Sequence, residues 1–160
     1  MMRKLKIGGS KVLEAGKLNV IVTGKLYDKD GNLKQMFVKH NLITNAGYAF
    51  LVNCLANETR PSAMRYIAVG KGTASPSSGN TALGSELFRK KCTYSYSSPN
   101  KFFSYNVTFN AGEATGAITE AGLLNASSGG TLFDRVTFPV INKGALDVYN
   151  IDFTITFSEV

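Results

Sequence analysis

Apolar and polar residues alternate with the period of a β-strand through most of this chain. In 146–157, Tyr149, Ile151, Phe153, Ile155 and Phe157 alternate with Val148, Asn150, Asp152, Thr154 and Thr156. That pattern predicts a long strand with one buried face. In 19–27, Val20, Val22 and Leu26 fall on one face, with Gly24 between them. The run DKDGN at 28–32 is a turn signal, and 33–40 sets Leu33, Gln35 and Phe37 against Lys34, Met36 and Val38, so a β-hairpin is predicted. Further strands are predicted over 64–69, 92–96, 102–109, 116–124 and 131–138.

Only 44–57 has convincing helical spacing, through Tyr48, Leu51, Val52 and Leu55. Thr44 or Asn45 is suited to cap its start, and Arg60-Pro61 follows its end. A Gly/Ser/Thr/Pro loop covers 70–80, and 81–88 reads as a short helical turn. About eight strands that do not alternate with helices exclude a parallel sheet. The expected fold is mainly β: an antiparallel β-sandwich over 18–160 with one packed α-helix.

Composition narrows the class. The chain has 160 residues, 16 of them glycine, with 44% apolar and only 18% charged residues, enough for one domain with a core. The net charge is +7, and Arg3, Lys4, Lys6, Lys11 and Lys17 crowd the start, so 1–17 is expected to be a basic, flexible arm. No arginine-rich block or basic-aromatic module points to nucleic acid. No apolar run is long enough for a membrane helix, and the start lacks a secretory apolar block. Synthesis in the cytosol is the expectation, with Cys54 and Cys92 as reduced thiols.

The candidate chemistry centres on 66–89, YIAVGKGTASPSSGNTALGSELFR. The stretch Gly70–Lys71–Gly72 through Pro76 to Gly79 looks like a phosphate cradle. However, a P-loop needs Lys-Ser/Thr at the helix start, and Asn80-Thr81 stands there instead. His40, the only histidine, has no nucleophile or ligand set beside it in sequence. Asp28, Asp30 and Asn32 resemble the start of a calcium loop, but Lys39 stands where the closing Glu belongs. No catalytic residue, metal or cofactor is expected, and the chain does not read as an enzyme. Glu86, Arg89, Glu120 and Arg135 lie beside apolar residues and are expected to form structural ion pairs. Tyr94, Tyr96 and Tyr105 are candidate contact residues.

The order of NLITNAGYAFLVNCLA, YIAVGKGTASPSSGNTALGSELFRK and ITEAGLLNASSGGTLFDRVTF resembles the N-terminal module of phage tail-collar fibre proteins and related short-fibre and attachment proteins. The matching positions are Thr44-Asn45-Ala46-Gly47, Val69-Gly70-Lys71-Gly72, Thr81, Leu83, Glu86, Arg89, Ile118, Glu120, Gly122 and Leu123. The resemblance implies a non-enzymatic homo-oligomeric virion protein of the tail, collar or fibre attachment, docked to other virion proteins. With no Trp and no fibre shaft after Val160, an adaptor or accessory subunit is the expectation. Its expected interface residues are Arg3, Lys4, Lys6, Lys11, Gly70, Lys71, Gly72, Pro76, Tyr94 and Tyr96. The alternatives are a carbohydrate-binding receptor module and a head decoration or head-fibre protein.

Overall fold

A computed structural model describes residues 5–7, 11–13 and 17–158, the first two segments by backbone alone. Arg3, Lys4 and the side chains of Lys6 and Lys11 therefore lie outside the described residues. Strands β1 (Leu5–Ile7) and β2 (Lys11–Leu13) pair with each other. Lys17, assigned to the arm by its charge, opens β3 (Lys17–Tyr27).

The body consists of two five-stranded antiparallel sheets and one helix. Strands β4 (Leu33–His40), β3, β12 (Val148–Ser158), β9 (Phe102–Phe109) and β8 (Thr93–Tyr96) form the first sheet in that order. Strands β5 (Leu42–Ile43), β11 (Leu132–Lys143), β10 (Gly116–Leu124), β6 (Tyr66–Gly70) and β7 (Glu86–Lys91) form the second. The expected sandwich with one helix is the observed architecture.

Strand periodicity places the core. Tyr149, Ile151, Phe153 and Ile155 of β12 are buried, and Val20, Val22 and Leu26 of β3 lie beside them. They meet Ile67, Val69, Ala121, Leu123 and Val136 from the second sheet. Gly24 is required here, because a Cβ would overlap the Phe37 ring. Residues 81–88 are not helical: they are irregular up to Glu86, where β7 begins. The small polar residues there follow a layer that is held from outside the segment, described below.

The chain changes sheet at both flanks. β4 passes through Asn41 directly into β5, and Asn41 donates its N–H to the Val20 carbonyl at 2.9 Å. β7 passes through Cys92 into β8, and the Cys92 N–H reaches the Arg65 carbonyl at 2.8 Å.

Helix α1 (Asn45–Ala56) is fixed at its start. Thr44 Oγ1 accepts the Gly47 N–H at 2.9 Å and donates to the Leu132 carbonyl at 2.6 Å. The cap thus also fastens the helix to β11. Gly47 lies against the Phe133 carbonyl too closely for a Cβ, and Phe50 meets Phe133 edge to face. The stripe that marks the helix in sequence is only partly inward: Leu51 packs on the core, whereas Tyr48, Val52 and Leu55 are exposed.

Asp134 of β11 is a carboxyl inside this core. The Leu123 N–H donates to its Oδ1 at 3.1 Å, and Asn41 and Tyr105 are its other polar neighbours. Its Oδ2 has no hydrogen-bond partner among the described residues. Burial pushes its pKa up to about 8, against the Leu123 N–H and the Asn41 amide. The folded chain therefore holds a proton that the unfolded chain releases near 3.8. This group lowers stability progressively as pH rises from about 4 to about 8 and no further above that. Asp134→Asn is expected to remove that slope, so its advantage in urea unfolding grows with pH up to about 8.

Candidate functional site

The loop 71–85 forms a layer over the outer face of the second sheet. Ala68, Gly122 and Leu124 alternate along β6 and β10 with the core residues Ile67, Val69, Ala121 and Leu123, so they face away from the core. Leu83 of the loop packs onto Ala68, Leu124 and Leu132 in a separate apolar cluster. Gly122 leaves room for it, since a Cβ there would press on Leu132 and on the Asp134 carbonyl.

Glu120 projects from β10 on the same face and is fully buried. Its Oε1 accepts the backbone N–H groups of Gly72 at 2.8 Å and Ser85 at 2.7 Å. Its Oε2 accepts the Gly84 N–H at 2.9 Å and Arg135 Nε at 2.9 Å. Arg135 Nη2 lies 2.8 Å from the same oxygen, an ionic contact without hydrogen-bond alignment. Burial raises the carboxyl pKa, but the Ser85, Gly84 and Gly72 N–H groups and Arg135 outweigh it, so the net shift is downward.

Arg135 is buried beside Glu120 and extends the clamp. Its Nη1 donates to Asn80 Oδ1 at 3.1 Å, and Asn80 Oδ1 also accepts the Ser77 N–H at 2.8 Å. Thr119 Oγ1 holds the Gly72 carbonyl at 2.9 Å, and the Asn45 N–H at the start of α1 takes the Ser78 carbonyl at 2.8 Å. Gly72 is needed because a Cβ would fall on the Glu120 carboxylate. The loop is thus an anion cradle in which backbone N–H groups converge on negative charge. The anion is the protein's own Glu120.

The structure pairs the four charges named from sequence as two separate units. Arg89 donates to Glu86 through Nε at 2.8 Å and Nη2 at 2.7 Å. Its Nη1 holds the carbonyls of Ala126 and Gly129, both at 2.8 Å, so this pair fastens the β10–β11 turn rather than the loop. Gly70 is buried, Pro76 is half-buried and Lys71 is exposed. Tyr94 and Tyr96 are exposed on β8, and the Arg65 guanidinium lies 5.8 Å from the Tyr94 ring centre. Tyr105 is tilted against Tyr94 and meets Phe103 edge to face, and burial pushes its phenol up to about 12.

His40 is exposed at the end of β4. Asp28 is spent on its own turn, accepting the N–H groups of Asp30 and Asn32, both at 2.9 Å. No group of three or more His, Cys, Asp or Glu is arranged to hold a metal among the described residues. Cys54 and Cys92 are free thiols, and burial pushes Cys92 up to about 11.

Sequence reasoning missed Asp134 and a second ionic cluster at the turn after β11. There Lys143 is buried and donates to the Asn110 carbonyl at 2.9 Å, while Asp147 accepts from Lys34 at 2.7 Å. Burial lowers the Lys143 pKa, partly offset by Asp147 and Glu113. The available signal was alternation: Lys143 shares a strand face with the buried Ile141.

Compared with protein-family models, curated proteins and solved structures, the chain matches none.

Glu120→Gln is expected to cost about 3–5 kcal/mol in urea unfolding, because it leaves Arg135 buried without its counter-charge. Replacing both residues with apolar ones, Glu120→Leu with Arg135→Met, is expected to cost less than Glu120→Gln. In the wild type, the Glu120 contribution is present above its unfolded pKa near 4.5 and is lost as pH falls through its lower folded value. Gly72→Ala is expected to expose 71–85 to limited proteolysis while β3 and β12 stay intact.

Proposed function

We propose that the chain is a non-enzymatic structural subunit of a tailed-phage virion. It acts in the tail, collar or fibre attachment by docking to neighbouring virion proteins and to copies of itself. The observation that carries this reading is where the residues of the resemblance lie. Thr44 and Gly47 fasten α1 to β11; Gly70 and Gly72 adjoin the Glu120 carboxylate; Leu83 packs with Ala68, Leu124 and Leu132 beside Gly122; Glu86 pairs with Arg89. Segments separated by tens of residues thus build one sheet and the layer fastened over it. Such a constellation suits a module that works through its shape.

The filled cradle supports the same reading. The N–H groups of Gly72, Gly84 and Ser85 that could hold a phosphate are committed to Glu120. The loop is therefore a shaped surface of small residues, suited to close backbone approach by a neighbour. Particle proteomics is the test: the chain is expected among the proteins of purified particles of the phage that encodes it. A monomeric protein absent from those particles would sink the proposal.

A second reading rests on the hollow formed by Ala63, Arg65, Tyr94, Phe103 and Tyr105. The exposed Tyr94 ring, beside the half-buried Phe103 and Tyr105 and a guanidinium, suits a sugar face, so the chain would be a carbohydrate-binding module. A glycan array with Tyr94→Ala as control decides it. Binding lost in the variant favours this reading, and no signal above background removes it.

A further inference from the structure

An apolar band crosses the end of the sandwich where β3 begins and β12 ends. On α1, Tyr48, Val52 and Leu55 are 52%, 61% and 89% exposed, and their spacing puts them on one helix face. Tyr48 and Leu18 line the same hollow. Leu18 lies opposite Phe157 across the β3–β12 pair, and the Phe157 ring is 6.0 Å from Phe103. Phe103 in turn faces Tyr96 across β8 and β9. The band is therefore continuous from the helix to the free edge of β8.

Charge is what identifies the occupant. The chain carries +7, with 18 basic and 11 acidic residues, yet 41–57 and 92–100 contain no Asp, Glu, Lys or Arg. Two copies of a protein so charged repel each other unless the surfaces that meet are neutral. With roughly 150–250 Å² per large aromatic side chain, the band leaves on the order of 600 Å² open on one copy. That meets the lower end of a specific interface, about 1,200 Å² in total.

We infer that this band is the self-association surface, and that its occupant is a second copy of this chain. The inference deepens the virion reading by locating the self-contact that reading needs. The contact is apolar at its centre, with Lys17 beside Leu18 and Arg65 beside Tyr94 at its margin, so salt strengthens it by screening the repulsion between like charges.

Sedimentation velocity of the full chain over a concentration and salt series tests it. The wild type is expected to self-associate, more strongly at high salt. The variant Val52→Lys with Leu55→Lys is expected to shift dissociation to at least about tenfold higher concentration while keeping its circular dichroism. Both positions are exposed, and cations are tolerated near a helix C-terminus, so the fold stays intact. A wild type that is monomeric throughout overturns the inference, as does a variant that associates like the wild type. An apolar contact with a different partner would give the first of these results. Particle proteomics reads the virion proposal separately: a chain present in particles but monomeric in solution overturns the self-contact alone. Salt-strengthened association abolished in the variant upholds the self-contact even if particles lack the chain.

Discussion

A buried carboxylate organises the part of this protein that its sandwich leaves irregular. Glu120 offers two oxygens to three backbone N–H groups and one guanidinium, all within 2.9 Å. An unpaired carboxylate inside a protein is too costly to keep ionised. Here every contact is a donor, and Arg135 supplies the balancing charge. The loop is consequently held from below by side chains of the sheet, Glu120 first and then Arg135 and Thr119, rather than by a ladder of its own. Without Glu120, Gly72, Gly84 and Ser85 would share no acceptor, and the layer would rest on the Leu83 cluster and on single hydrogen bonds from Thr119, Arg135 and Asn45.

The same arrangement bears on the proposed function. A loop whose N–H groups point at a common centre is what phosphate-binding sites use, and in sequence this one invites that reading. Filling the centre with an internal anion converts a binding site into a structural joint. What then faces outward is a surface of Ser, Thr, Gly and Ala in which Lys71 is the one charged residue of the loop. It is joined to α1 through the hydrogen bond from Asn45 to Ser78. In the proposed docking role, such a surface would keep its shape before the partner arrives, which avoids the affinity lost in ordering a loop on contact.

Much of the fold was legible because strands advertise themselves by alternation. The β12 face of Tyr149, Ile151, Phe153 and Ile155 and the cap at Thr44 can both be read from residue order. The segment 81–88 was not legible, since its conformation is imposed by Glu120, some 36 positions away from Gly84. The four charges could be named as paired from their apolar neighbours. Which acid met which base depended on register: Arg135 lies opposite Gly122 in the ladder, which places its guanidinium beside Glu120. Asp134 escaped notice because an acid between Phe133 and Arg135 looks solvent-facing, whereas the ladder sets it opposite Leu123 and two residues from Val136, on the core face. The outward tilt of Tyr48, Val52 and Leu55 was hidden for a related reason, because helical spacing reveals a stripe but not what it faces.

Amide hydrogen exchange by NMR tests the central claim most directly. If Glu120 holds the loop, the N–H groups of Gly72, Gly84 and Ser85 are protected in the wild type. In Glu120→Gln they become fast-exchanging together, while Val22 and Phe153 in the core strands remain slow. Unchanged protection of those three amides in the variant would contradict the account.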